Sequence, residues 1–307
     1  MKFKKYILII VLVLPCVLKG QQDPQFNQYF FNPLGINPAY AGSRGMLSAA
    51  AVHRTQWVGF EGAPKTQSFA IHAPTRDKKM GFGFQAVKDV IGPKSTVVVS
   101  GDYAYSIRIA RGRLAFGLRA SIYNYQFNWD DIEYKETNGL VNNGTETYMV
   151  PSFDYGMYYY DKQNYIGVEF THLNQGKLGI QSDNVNIEST SRQEAQAIIT
   201  AGRAFKINRY VVFKPSMLLK TANNKPAFLD LNASVLLNNK LWLGLTYRRG
   251  YGGVAIIEYN IDKYLRIGYS YDISLTQLSR ENGGSHEIFI GYDFNLFKSR
   301  SVSPRYF

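Results

Sequence analysis

Apolar and polar residues alternate along most of this chain with a period of two. Between 97 and 109 the odd positions are Val97, Val99, Gly101, Tyr103, Tyr105, Ile107 and Ile109, whereas the even ones are Val98, Ser100, Asp102, Ala104, Ser106 and Arg108. Leu114, Phe116, Leu118, Ala120 and Ile122 oppose Ala115, Gly117, Arg119, Ser121 and Tyr123 in the same way. The stretches 229–237, 265–273 and 287–296 repeat it. A strand with this pattern turns one face to an apolar medium and the other to a polar one. The runs also outlast the roughly 5–6 residues usual for soluble strands and reach the roughly 9–11 of a strand that crosses a bilayer at a tilt. About fourteen strands are expected, near 46–57, 66–74, 79–88, 96–109, 113–128, 148–160, 164–173, 193–205, 209–221, 227–237, 240–248, 253–260, 265–273 and 286–297.

The links between strands sort by length. Those at one end are brief and polar: 75–78, 110–112, 161–163, 206–208, 238–239 and 261–263. Those at the other are mostly longer: 58–65, 89–95, 129–147, 174–192, 222–226 and 274–285, with 249–252 a brief exception. A soluble sandwich has no reason to sort its loops by end. A transmembrane antiparallel up-and-down β-barrel has one, with short periplasmic turns and longer extracellular loops. The sequence therefore predicts an all-β barrel over 46–307, and its even strand number places both termini on the periplasmic side. Closure satisfies every backbone N–H and C=O where no water can. Trp57, Tyr103, Trp129, Tyr148, Trp242, Tyr247 and Tyr269 are expected in aromatic girdles facing the lipid. Arg54, Arg108, Arg119, Lys214, Arg248 and Arg266 are expected inside with Asp102, Asp154, Glu169, Asp230, Asp272, Glu287 and Asp293, a mixture suited to internal ion pairs rather than to a ring of one sign.

Residues 1–20 read as a cleavable signal peptide: Lys2, Lys4 and Lys5 precede an apolar run from Ile7 to Leu14, Pro15 ends it, and Gly20 suits the cleavage position. Its removal takes away Cys16, the chain's only cysteine, and with it any disulfide, thiol nucleophile or cysteine metal site. Removing Lys2, Lys4, Lys5 and Lys19 also lowers the formal charge from +12 to +8, a modest excess that membrane lipid headgroups or an acidic partner would meet. No nucleic-acid module or dense basic stripe is present. Nor is there a Gly-x-Ser-x-Gly elbow, a phosphate-cradling loop or a His-Glu-x-x-His site, and His53, His72, His172 and His286 each stand alone in sequence. No catalytic, metal-binding or cofactor-binding residue is expected, and no enzyme activity.

Between the leader and the first strand lies a separate piece, 21–45, in which Pro24, Pro33 and Pro38 forbid a continuous helix. Phe26, Tyr29, Phe31 and Tyr40, with Gln28 and Asn32 among them, make it too apolar to remain a free tail in water. Two readings stay open: it packs in the lumen or against the periplasmic rim as a plug, or it docks a periplasmic partner. The chain ends in Phe307 behind an amphipathic strand, a pattern that looks like the signal read by the barrel insertion machinery.

The run Gln25-Phe26-Asn27-Gln28-Tyr29-Phe30-Phe31-Asn32-Pro33, the stretch Arg54-Thr55-Gln56-Trp57-Val58-Gly59-Phe60-Glu61-Gly62-Ala63-Pro64, the Ile91-Gly92 loop and the closing Gly284-Ser285-His286-Glu287-Ile288 resemble the PorP/SprF family of outer-membrane proteins. Alternation puts Arg54 and Gln56 inward and Trp57 outward, with Gly59, Gly62 and Pro64 shaping the first outer turn. The resemblance implies a non-enzymatic component of type IX secretion or gliding motility in the cell outer membrane. Its partners would be a secreted adhesin-like cargo, held by its C-terminal domain, and periplasmic or outer-membrane machinery. On that reading, Trp129, Asn138, Asn142, Asn143, Asn174, Gln175 and Gln181 in the outer loops form the cargo-binding surface. A transport pore for a small solute is the competing reading.

Overall fold

The structure, a computed structural model, describes residues 24–132, 144–178, 192–223, 225–275 and 283–295. The leader, the loop stretches holding Asn138, Asn142, Asn143 and Gln181, and the terminal Phe307 lie outside the described residues.

Strands form where the period of two runs: β1 (Leu47–Thr55), β2 (Lys65–Pro74), β3 (Met80–Ile91), β4 (Lys94–Ile109), β5 (Gly112–Asn128), β6 (Thr145–Tyr160), β7 (Asn164–Thr171), β8 (Gln196–Arg203), β9 (Phe205–Lys206), β10 (Val211–Ala222), β11 (Phe228–Leu237), β12 (Leu241–Arg248), β13 (Gly252–Asn260), β14 (Leu265–Ser274) and β15 (Ser285–Phe294). Apart from β8 and β9, consecutive strands pair antiparallel, and β1 pairs with β15 from Leu47↔Phe294 to Thr55↔His286, closing the sheet. β8 and β9 both lie on β10 and act as one stave broken at Ala204. The architecture is thus a closed antiparallel barrel of fourteen staves.

The faces fall as the alternation requires. Phe82, Tyr103, Leu118, Ile122, Leu245, Ile257, Ile267 and Ile290 stand exposed on the outside, while Asp102, Arg119, Asp154, Asp230, Asp272 and Glu287 are buried within. At the short end, compact turns supply their own hydrogen bonds. Asp161 Oδ1 accepts the N–H groups of Gln163 and Asn164 at 2.7 and 2.8 Å, and Asp262 Oδ1 those of Tyr264 and Leu265 at 2.6 and 2.8 Å. Those donors, Leu265 first, hold the Asp262 carboxyl below its usual value.

Three expectations need correction. The 89–95 link is no loop: β3 and β4 pair up to Ile91↔Lys94, leaving only Gly92 and Pro93 as a turn. Two of the girdle aromatics lie inside instead, since Trp242 is buried against Phe31 and Tyr148 stacks on the luminal Tyr125. Trp57 lies beyond β1 with a positive φ of 45° and is half-buried, so strand alternation does not carry it outward. Its N–H donates to Ser285 Oγ at 3.2 Å, tying the first outer turn to the start of β15.

Candidate functional site

The lumen holds the chain's own N-terminal segment. Prolines that forbid a helix leave only two short 3-10 turns, Pro33–Gly35 and Pro38–Tyr40, so the segment can follow the wall rather than stand off it. Tyr29, Phe30, Phe31, Leu34, Ala39, Tyr40 and Ala41 are buried, and they build two clusters on different parts of the wall.

The first cluster faces β1 and β10–β15. Phe31 meets Trp242 and Phe289 with ring centroids 6.0 and 6.1 Å apart, and Phe26 packs at its margin. Lys214 Nζ sits over the rings of Phe30, Phe31 and Trp242, 5.2, 5.4 and 4.9 Å from their centroids. Beside it the backbone is fixed by charge: Asn27 and Gln28 donate their N–H groups to the two oxygens of Glu287 at 2.8 and 2.9 Å. The Asn27 amide also donates to Ser270 Oγ at 3.0 Å and to Asp272. Arg54 holds these acids in place, 2.7 Å from Asp272 and 3.4 Å from Glu287, and Arg248 pairs with Asp230 at 3.0 Å alongside.

The second cluster faces β2–β7. Arg119 lies 2.7 Å from Asp102, 3.1 Å from Glu169 and 3.6 Å from Asp154, and its remaining nitrogen donates to the Leu34 carbonyl at 2.5 Å. Gln85 donates to the same carbonyl at 3.3 Å. The Asn37 amide donates to the wall carbonyls of Met157 and Val168 at 3.0 and 3.2 Å, while its oxygen caps Ala39 N–H at 2.9 Å. Close approach here needs wall residues without side chains: a Cβ on Gly117 would strike the Ala39 backbone, and one on Gly156 would strike Asn37 Oδ1. Tyr40 meets His72 and Tyr158 edge-on, and Gly42 N–H donates to His72 Nδ1 at 3.1 Å. Arg44 then pairs with Asp293 at 2.7 Å where the segment leaves for β1.

Of the residues singled out in this segment, Gln28, Tyr29, Phe31 and Tyr40 are buried, and Phe26 and Asn32 half-buried. Gln28 lies over Gly268, where a Cβ would collide with its amide. Asn27 and Glu287 sit in the half of the barrel nearer the long loops, and Arg44 and Asp293 near the short turns, so the segment runs the length of the lumen. The spaces beside it are small: about 30 Å³ between Phe30, Phe31, Lys214, Trp242, Glu258 and Arg266, and about 10 Å³ near Gly42 and Tyr160. Each has room for a water molecule or two. In the first hairpin, Arg54 is buried, Gln56 accepts from it at 3.3 Å, Gly59 lies exposed in the turn, and Pro64 is buried with its carbonyl taking Gln56 N–H at 2.9 Å.

The outer-loop residues separate. Trp129 opens a 3-10 turn after β5 and packs on Phe127. Asn174 is tied down, accepting Phe153 N–H at 3.3 Å and donating to the Pro151 carbonyl at 2.7 Å. Gln175 is exposed next to it, with a positive φ of 44°. Asn27, Asn37, Arg44, Gln85 and Glu258 were missed in the sequence. The Asn-Pro pair at 37–38 was the one available sign, because Asn before Pro marks a turn whose amide is free to bond elsewhere.

Among solved structures the chain is similar to the outer membrane protein Omp33 of Acinetobacter baumannii, at 8% identity over 81% of this chain and 98% of that one with a TM-score of 0.46. It is also similar to a TodX deltaS2S3 mutant monoaromatic hydrocarbon channel (11% identity, 89% and 95% covered, TM-score 0.47) and to a Pseudomonas aeruginosa FadL homologue (10%, 89% and 95%, 0.42). No curated protein sequence matches it. The profile of the type IX secretion system membrane protein PorP/SprF matches residues 18–292, from before the luminal segment almost to the end of β15, and the chain belongs to that family.

Proposed function

We propose that this outer-membrane barrel is a non-enzymatic anchor: it assists export of a secreted, adhesin-like polypeptide, holds that partner's C-terminal domain at the cell surface, and links it to periplasmic machinery. The filled lumen carries this reading. A solute pore needs a continuous wet path, whereas here Tyr29, Phe30, Phe31, Leu34 and Tyr40 lie buried across the interior beside cavities of about 30 and 10 Å³. The segment then acts as a plug, and the working surfaces are the two ends of the barrel.

At the long-loop end, Trp129, Asn174 and Gln175, with the loop stretches carrying Asn138, Asn142, Asn143 and Gln181, face the cargo. Asn174 contributes through the turn it braces rather than through a free amide. At the other end, residues 43–46 and the short turns face the machinery, because residues 27–42 are turned into the wall. Deleting 129–144 and 174–192 separately tests the attachment. Surface-retained cargo is expected to drop in at least one deletion while the barrel still inserts. Full retention in both, with normal insertion, contradicts loop-mediated attachment.

A further inference from the structure

The staves differ in height. β6 rises past β7 on the long-loop side: it pairs with β5 along all of 145–160 but with β7 only from Tyr155 to Tyr160. The other edge of β6 above Tyr155 therefore has no strand beside it among the described residues. In an antiparallel ladder a residue points its N–H and C=O to the same side, and alternate residues point to opposite sides. Gly144 accepts Trp129 N–H at 3.0 Å across the β5 side, so even residues of β6 serve β5 and odd ones face the open side.

Part of this edge is sealed. Leu173 N–H donates to the Phe153 carbonyl at 2.9 Å, Asn174 takes Phe153 N–H and caps the Pro151 carbonyl, and Pro151 itself has no N–H to offer. Proteins blunt strand edges in these ways to prevent pairing. Among the described residues the hydrogen-bonded seal stops there, with Gly176 packed beside Val150. Thr145, Thr147 and Met149 remain, all exposed, each with an N–H and a C=O facing the open side.

The outward surface also changes at this height. Val99, Ile122 and Pro151 form the last wholly apolar row; the next mixes Lys88, Val97, Asn124 and Met149, and the one above it Val90, Ser95, Gln126 and Thr147. The open edge runs from Met149, at the rim of the apolar surface, up to Thr145 beside the outer loop that follows β5. Evenly spaced donors and acceptors about 7 Å apart fit one kind of ligand, the backbone of an extended polypeptide.

We infer that the edge of β6 at Thr145, Thr147 and Met149 is a strand-acceptor site, to which a segment of the exported partner adds as an extra β-strand. This rests on the attachment reading above and names the contact that performs it. Main-chain bonds supply affinity, and the side chains at alternate positions supply selectivity.

Amide hydrogen exchange and one substitution test it. In the chain alone, the amides of Thr147 and Met149 are expected to exchange fast, and those of Glu146 and Tyr148, bonded to β5, slowly. In the wild-type chain isolated from native outer membranes with its exported partner, the Thr147 and Met149 amides should slow about a hundredfold or more. Thr147→Pro removes the edge donor and leaves the β5 ladder intact, so surface-retained partner should fall about tenfold at normal barrel insertion. Unchanged retention in this variant, when a loop deletion releases the partner, overturns the edge site and leaves the attachment reading standing. No exported polypeptide on the wild-type chain overturns both. Protection already present in the isolated chain, or a disulfide-linked dimer from Thr147→Cys in the otherwise cysteine-free mature chain, also overturns it, the edge then being covered by the chain itself or by a second copy. If Thr147→Pro fails to insert, the exchange measurement on the wild-type complex decides alone.

Discussion

The two sides of the lumen grip the same segment in opposite ways. On the β14–β15 side a carboxylate meets backbone donors: Glu287, steadied by Arg54, accepts the N–H groups of Asn27 and Gln28. On the β4–β7 side a guanidinium meets a backbone acceptor: Arg119, surrounded by Asp102, Asp154 and Glu169, donates to the Leu34 carbonyl. The packing differs in parallel. The first side takes large side chains, Phe30 and Phe31, into an apolar and aromatic seat, whereas the second lets backbone lie on alanine and glycine. A segment without a regular helix must have its N–H and C=O groups satisfied by its surroundings, and this wall does so with charged groups that are themselves neutralised.

The contrast predicts unequal responses to substitution. Arg119→Ala should be the most damaging change, about 3–5 kcal/mol, because it strands three buried acids and leaves the Leu34 carbonyl to Gln85 alone. Arg54→Ala should cost less, since Arg248 also approaches Asp272 at 3.6 Å and partly offsets its charge. Urea titrations of the two variants refolded in lipid measure the difference, and the reverse order would break the comparison.

Packing changes should then separate the sides. Phe31→Ala empties a large seat at about 3 kcal/mol, and it should free residues 27–31 to protease while 37–42 stay protected. Gly117→Val forces a side chain into the Ala39 backbone at about 1–3 kcal/mol and should free 37–42 first. Limited proteolysis with peptide mapping reads both. The smallest effect lies away from the lumen. Asp262→Ala removes the acceptor of two turn amides, and because the folded carboxyl titrates below its unfolded value, its contribution is full above about pH 4 and fades as pH falls through the lower folded value. Variant and wild-type urea midpoints should therefore converge in acid.

Most of the barrel was legible because lipid outside and polar groups inside impose a period of two on every stave. It fails where that contrast fails. Asp89, Val90, Ile91, Lys94 and Ser95 read as loop, yet they pair at the ends of β3 and β4, where the outward rows mix apolar with polar residues and alternation loses its meaning. Trp242 and Tyr148 read as girdle residues because an aromatic on a strand is expected at the lipid interface; inside, one seats Phe31 and the other stacks on Tyr125. Gly117 and Gly156 sat on the small, polar face with nothing to mark them as the track for residues 37–39. The N-terminal segment's apolar content was readable from composition, but its contacts were not, because Asn27–Glu287 and Leu34–Arg119 join positions far apart in sequence.

Electrical recording from the full mature chain in planar bilayers tests the central claim most directly. A lumen closed by its own segment predicts a silent membrane from correctly inserted protein, and conductance steps only after residues 24–43 are removed or displaced. Stable ohmic steps from the intact wild-type chain would contradict it.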